Sequence, residues 1–355
     1  MKKEVKIAGA GISGLTAAII LAKAGYKVKV YERNNVIGKR FNEDFQGLMN
    51  WGFNEDVLDF MKRIGLETNF WNKPMNYLDI FGPDNYKGSF KMGKPFVYLV
   101  QRGVGERAFD QSLKNQAIKN GVDIIFNTPR KASEVDIIAT GPNFDGVTDA
   151  MASGYTFETD SSDISAAILD DDLAYDGYSY FFIADGHGTI ATCIFGNYNK
   201  ISEYLEKTYN FFEKNYSFNV KNKRKFSGIG SFYLLKSEKR YIGEAGGFQD
   251  FLWGFGMRYA MISGSLAAKS IIDNKDYAKL RKKELGGLLK TSIVNRFWFS
   301  LLGRYSYKRF ILLLKKYNDP IKFFTIAYRP NLISKILYPI AKLYFGKYIK
   351  DRTSK

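Results

Sequence analysis

The sequence holds one cysteine, Cys193, in 355 residues. An internal disulfide is therefore impossible, and a reducing cytoplasm is the simplest setting. It also holds one histidine, His187. A multi-histidine metal site is excluded, and Ser-His-Asp chemistry is disfavoured. No metal site is expected, and Asp170-Asp171-Asp172 reads as a solvated turn. No uninterrupted apolar run reaches the about 20 residues that a membrane span needs. No signal peptide fits the start, because Met1-Lys2-Lys3 runs straight into a strand pattern. Acidic residues are scarce in one segment. From Lys275 to Lys355 there are 20 Lys and Arg against 4 Asp and Glu, which places +16 of the chain's +17 there. The basic block implies an anionic partner surface.

What is present is a globular composition, 45% hydrophobic and 25% charged. Aromatic residues make up 16%, which suits a large apolar pocket. Glu4–Ala8 reads as a short buried strand, followed by Gly9-Ala10-Gly11-Ile12-Ser13-Gly14, an apolar helix to Gly25 and a second strand, Lys27–Tyr31. In this pattern Gly9 allows the tight turn, Gly11 lets backbone approach a pyrophosphate, and Gly14 lets the helix pack closely on the sheet. The helix N-terminus offers free N–H groups to phosphate. Glu32, with Arg33 beside it, ends the second strand, where a carboxylate can accept both ribose hydroxyls. Together these features read as a dinucleotide site.

At Ile37-Gly38-Lys39-Arg40 the sequence resembles the glutathione-reductase-type FAD superfamily. The resemblance implies that Lys39 and Arg40 lie on the pyrophosphate side; solvated loop charge is the alternative. Gln101-Arg102 precedes a helical pattern from Phe109 to Gly121 and a strand, Val122–Phe126. Arg102 matches the arginine that faces FAD phosphates in p-hydroxybenzoate-hydroxylase-like flavoproteins. Asp136–Gly141 resembles the "ATG" strand and turn of the superfamily, with Thr140 and Gly141 at its tip; an ordinary buried strand is the alternative. Between Asn127 and Val135 only a short connection fits, where relatives carry a small β-meander.

Gly243–Ala268 resembles the late flavin motif of geranylgeranyl-reductase-like and p-hydroxybenzoate-hydroxylase-like proteins. The resemblance implies that Glu244 meets the ribityl chain. It also implies that Gly254, Phe255, Gly256 and Met257 start a helix aimed at the flavin pyrimidine. Glu244 replaces an aspartate, Phe251 a proline and Trp253 a small residue, and Arg258 faces either the pocket or the surface. The implied cofactor is FAD. No second nucleotide motif is visible, so the reductant is NAD(P)H docking transiently or another donor.

The middle, Phe144–Leu235, carries the β runs Tyr178–Ile183 and Ile190–Phe195. Asp185-Gly186-His187-Gly188 between them reads as a hairpin turn, which puts His187 on an exposed tip. Tyr178, Tyr180 and Phe182 share one strand face. The resemblance implies that they border the cavity over the flavin, with Trp253 nearby; sheet packing is the alternative. The reductases' cysteine in the loop after the Gly-Lys segment is missing, since Arg40–Gly47 contains none. No catalytic residue is assigned.

The expected fold class is α/β, with a Rossmann-like FAD-binding domain on a parallel sheet, an inserted antiparallel-sheet substrate domain and a C-terminal helical segment. The expected boundaries are 1–72, 98–143 and 236–285 for the first, 73–97 and 144–235 for the second, and 286–355 for the third. In the third, Leu332, Ile333, Ile336, Leu337, Ile340, Leu343 and Tyr344 fall on one helical face, with Lys335 and Lys342 opposite. Aromatic residues such as Trp298 and Tyr348 accompany them, and Pro320, Pro330 and Pro339 are expected to break the segment. The readings are an anionic membrane surface, a structural cap or, least favoured, nucleic acid. The expected activity is FAD-dependent reduction of carbon–carbon double bonds in an isoprenoid or other lipid, in the cytoplasm or peripheral at the membrane. The alternatives are a flavin monooxygenase acting on a hydrophobic substrate and a non-catalytic FAD-bound adaptor.

Overall fold

The strand Glu4–Ala8 buries Val5, Ile7 and Ala8 and lies at the centre of a five-stranded, all-parallel sheet. The order is Arg240–Tyr241, Ile137–Ile138, Glu4–Ala8, Lys27–Tyr31, Asp123–Ile125. The computed structural model describes residues 3–142, 149–317, 319–346 and 350–353. Met1, Lys2, Phe144 and Tyr348, which the sequence reading used, lie outside these.

The helix Ile12–Lys23 is buried almost all round, with Leu15, Ala17, Ala18, Ile19 and Leu21 fully covered. Its small residues allow this, because helices Phe109–Lys119 and Met257–Ile272 both pack on it. Two glycines are obligatory at its start. Gly9 has φ +101°, and a Cβ there would fall 2.2 Å from the Ala139 carbonyl oxygen. A Cβ on Gly14 would fall 2.0 Å from the Gly9 carbonyl oxygen. The loop Asn127–Val135 contains no strand, in line with the short connection expected.

A second, seven-stranded sheet runs Lys221–Gly230, Ala150–Glu158, His187–Ile194, Tyr178–Ala184, Ile164–Ile168, Tyr77–Phe81, Lys87–Lys91. It is antiparallel except where Ile164–Ile168 meets Tyr77–Phe81. Alternation along Tyr178–Ala184 sorts its side chains. Phe181 and Ile183 enter a core with Phe212 from the helix Ile201–Asn215. Tyr178, Tyr180 and Phe182 turn to the opposite face. A three-stranded sheet of Phe45–Met49, Val97–Gln101 and Asn72–Met75 adds a further layer.

Five helices follow: Tyr277–Glu284, Gly286–Leu302, Arg304–Lys316, Pro320–Tyr328 and Leu332–Tyr344. They are part of the main core, to which they contribute Ile293, Tyr307, Ile311, Leu314, Tyr328 and Ala341. Pro320 opens a helix, where its missing N–H costs nothing. Pro339 does not break the segment as expected, because it lies within Leu332–Tyr344. It sits on the exposed face, where the carbonyl it leaves unpaired can meet water.

Candidate functional site

A cleft of about 690 Å³ runs from the Gly9–Ser13 turn to the aromatic face of the second sheet. It lies within the range of about 300–1,000 Å³ usual for cofactor and small-molecule sites. Its wall includes Gly9, Ala10, Gly11, Ile12, Ser13, Glu32, Arg33, Lys39, Arg40, Arg102, Thr140 and Gly141. It also includes Glu244, Gly254, Phe255, Gly256 and Met257, together with Tyr178, Tyr180, Phe182 and Trp253. Of the site residues expected from sequence, Gly14 alone does not line it; that glycine is used up in packing against Gly9 and Ala139.

At the first end, Glu32 organises the turn. Its carboxylate accepts from the Ala10 N–H at 3.0 Å and from the Asn34 N–H and Nδ2 at 2.9 and 2.8 Å. A carboxylate has about four acceptor positions, so capacity is left for a ligand hydroxyl. A Cβ built on Gly11 meets nothing within 4 Å. The backbone there is bare toward the cleft. Gly11 caps Ile12–Lys23 without any side-chain bond, and the first turn carries no acid. Gly256 caps Met257–Ile272 in the same way. Two helix N-termini thus bring uncapped N–H groups to one cleft, a setting that favours anionic ligand groups.

Arg102 is buried and held from three sides. Its Nε and Nη2 donate to the two Asp110 oxygens at 2.8 and 3.0 Å, and Nη1 donates to Gln46 Oε1 at 3.1 Å. Its guanidinium lies 3.9 Å from the centre of the Phe41 ring. Burial opposes its charge most strongly, but Asp110 together with Asp44 and Glu244 holds its pKa above the ordinary value. Arg40 reaches across the cleft, pairing with Glu244 at 2.7 Å and donating to the Ile229 carbonyl at 3.0 Å. The two residues expected at the pyrophosphate and the ribityl chain therefore touch each other.

The other end is aromatic. Trp51 packs against Phe255 at 4.8 Å and Phe324 at 5.5 Å between ring centres. Tyr178 meets Trp253 edge-on at 5.5 Å and donates to its carbonyl at 2.8 Å. Tyr180 donates to the Phe45 carbonyl at 3.4 Å. Burial pushes both phenols well above their ordinary pKa, so each stays a protonated donor. Cys193 also lines this end, and burial pushes its thiol up to about 12. Phe251 packs behind the wall on Phe232 at 5.3 Å, so neither it nor Trp253 closes the cleft.

Two residues stand elsewhere than the sequence reading placed them. His187 is not an exposed tip, since the turn falls on Asp185–Gly186 and His187 begins the next strand. It is half-buried, its ring is edge-on to Phe45 at 5.0 Å, and Nε2 lies 3.1 Å from the Glu43 carbonyl. Burial lowers its pKa. Arg258 is neither in the cleft nor on the surface. It is 2% exposed, stacks on Phe53 at 4.0 Å and donates to the Glu55 carbonyl at 2.7 Å. Burial lowers its pKa to about 10.

Sequence reasoning missed Asp250, Phe310 and Phe324. Asp250 braces the turn before Met257, accepting from the Trp253 N–H at 2.7 Å and the Tyr328 hydroxyl at 2.9 Å. Burial raises its pKa to about 6. Phe310 and Phe324 come from the basic C-terminal helices and line the cleft. A lone aspartate and two phenylalanines in a helical tail carry no local signal for such roles. Among the described residues no cluster of three metal-ligating side chains occurs.

This geometry defines the class of fold, a Rossmann-like nucleotide unit joined to an antiparallel sheet across one cleft. A family model described as "NAD(P)-binding Rossmann-like domain" matches residues 7–63. Over its whole length the chain is similar to a geranylgeranyl bacteriochlorophyll reductase-like protein from Thermoplasma acidophilum. The TM-score is 0.64 at 17% identity, covering 98% of this chain and 100% of that one. A flavin-dependent brominase gives 0.64 at 14% identity, covering 98% and 99%. A 2-methyl-3-hydroxypyridine-5-carboxylic acid oxygenase variant gives 0.57 at 14%, covering 86% and 93%. The chain has the fold these proteins share, as its sequence motifs imply.

Sequence relatives match in part only. An L-amino-acid oxidase from Echis ocellatus is 34% identical over 127 residues, 33% of this chain and 22% of the oxidase. The 4,4'-diaponeurosporene oxygenase of Staphylococcus aureus is 45% identical over 42 residues, 12% of this chain and 8% of the oxygenase. The match thus spans about a fifth or less of these relatives' own length.

Proposed function

We propose that this chain is an FAD-dependent oxidoreductase that reduces carbon–carbon double bonds of an isoprenoid or other lipid. The observation that carries the reading is the single cleft joining the bare Gly11 backbone to the aromatic face of Tyr178, Tyr180 and Phe182. The similarity to flavin-dependent proteins of the same fold supports the flavin part of this reading.

The donor set fits FAD. Glu32 has acceptor capacity for a ribose hydroxyl, and the uncapped starts of Ile12–Lys23 and Met257–Ile272 suit a pyrophosphate and an electron-rich ring edge. Arg40 and Glu244, already paired with each other, would flank the polar chain as one ion pair. When bound, FAD supplies hydride transfer, with NAD(P)H or another donor as the source of electrons. The aromatic wall excludes water and takes an apolar chain or ring. Tyr178 and Tyr180 keep their protons and spend them on backbone carbonyls, so they shape the wall. A cavity closed by Phe251 and Trp253 would favour the adaptor reading, and the open cleft beside Trp253 withdraws that support.

The test is reconstitution of the purified chain with FAD, followed by anaerobic turnover on a polyprenyl lipid extract with a chemical reductant. Flavin binding and loss of double bonds are expected. No bound flavin after FAD addition defeats the whole reading. Flavin binding with oxygen consumption and a hydroxylated product would replace the reductase with a monooxygenase.

A further inference from the structure

The helix Leu332–Tyr344 has two faces of different fate. Ser334, Ala341 and Phe345 face inward, and Thr291 of the helix Gly286–Leu302 lies 3.4 Å from the Ser334 hydroxyl. On the other face Leu332, Ile333, Ile336, Ile340, Leu343 and Tyr344 are each more than half exposed, with Leu343 at 83%. Their spacing of three and four residues aligns them as one stripe. The stripe extends onto the neighbouring helix. Phe297 packs against Tyr344 at 5.3 Å and against Trp298 at 5.9 Å, and Trp298 is itself exposed. A soluble protein rarely leaves so many large apolar side chains together in water.

The rim is cationic. Lys335 and Lys342 do not lie opposite the stripe as expected: at helical spacing they fall on the flank between it and the inward face, and Arg329 is exposed just before the helix. The helix itself carries no acid. From Lys275 onward the chain is +16. A second copy laid on this face would bring like charges together, which is unfavourable. An anionic bilayer takes both parts, apolar side chains among acyl chains and cations at headgroups.

We propose that the face formed by Leu332–Tyr344 and Trp298 docks on an anionic phospholipid bilayer, with the helix lying in the plane of the interface. The inference stands whether or not the cleft holds FAD. It adds a place for the enzyme to work, because the helix beneath it, Gly286–Leu302, also packs on Arg304–Lys316 and Pro320–Tyr328, which give Phe310 and Phe324 to the cleft.

The experiment is co-sedimentation of the full chain with vesicles of phosphatidylglycerol and phosphatidylcholine, against phosphatidylcholine alone. Binding to the anionic vesicles is expected, and Ile336→Glu with Leu343→Glu should weaken it about tenfold or more. Lys335→Glu with Lys342→Glu, or raised salt, should weaken it less. Ile336 and Leu343 face outward, so the melting temperature of the Ile336→Glu, Leu343→Glu variant should stay close to that of the parent. The unaltered protein gives a second measurement. Trp298 fluorescence should shift to the blue on vesicle addition, and Trp298→Phe should lose that shift. No binding to either vesicle overturns the proposal. So does equal binding by the Ile336→Glu, Leu343→Glu variant, or a dimer in sedimentation velocity that this variant dissolves.

Discussion

The glycine-turn end of the cleft comes largely from one stretch, Gly9 to Glu32, whereas the aromatic end gathers Trp51, Tyr178, Trp253, Phe255, Phe310 and Phe324 from across the chain. The first end works through backbone: a positive-φ glycine, a bare glycine and a carboxylate that holds a turn. The second works through side-chain volume. A backbone device has a short sequence signature because geometry dictates the residue. A wall of rings can be built from many segments, so its members are interchangeable in sequence and specific only in place.

The comparison can be broken most severely at Gly9. Gly9→Val combines strained φ with a clash on Ala139, and should cost more than about 4 kcal/mol, read by denaturant unfolding. Folded, stable Gly9→Val protein would mean that the turn is not geometrically fixed. Arg102→Ala strands Asp110 in a buried place and should cost about 3–5 kcal/mol in the same assay. A cost below 1 kcal/mol, about that of a surface change, would mean that the pair is not buried in solution.

At the far end Asp250 gives a pH-dependent contrast. Its folded-state pKa, about 6, lies above the ordinary value, so the folded chain holds that proton more tightly than the unfolded chain. Stability from this group is therefore present in acid and lost as pH rises through about 6. Relative to Asp250→Asn, the parent should lose on the order of 1–3 kcal/mol between pH 4 and pH 7. Parallel pH profiles for the two proteins would remove Asp250 from the argument. The smallest effect on stability is expected at Gly11. Gly11→Ala should change unfolding by less than about 0.5 kcal/mol, because no protein atom awaits the Cβ. FAD titration should nonetheless show weaker binding, and unchanged affinity would mean that the bare backbone faces no ligand.

The same contrast explains what could be read from sequence. Glu4–Ala8 and Lys27–Tyr31 have the expected bounds, since hydrophobic pattern and glycine punctuation lie within the segment itself. Tyr178, Tyr180 and Phe182 were found on one face by strand alternation alone. His187 and Arg258 were misplaced because their partners, Phe45 and Phe53, lie more than a hundred residues away. Pro339 has the local propensity of a helix break, but the packing of Ser334, Ala341 and Phe345 carries the helix through it. The tail's charge was legible, but its second role, lending Phe310 and Phe324 to the cleft, rests on packing that no local pattern encodes.

The distance between Gly9 and Phe324 also sets an order of assembly. During synthesis the glycine turn emerges before its partners Glu244, Gly256 and the last aromatic wall. Contacts this far apart in sequence close slowly, because a long loop must be ordered before any contact rewards it. The growing chain therefore carries an open half-site and exposed apolar strands for most of its translation. On the proposed reading, a nucleotide would be retained only after the late helices have packed, and a chain stopped before residue 324 would have the glycine turn but no aromatic wall.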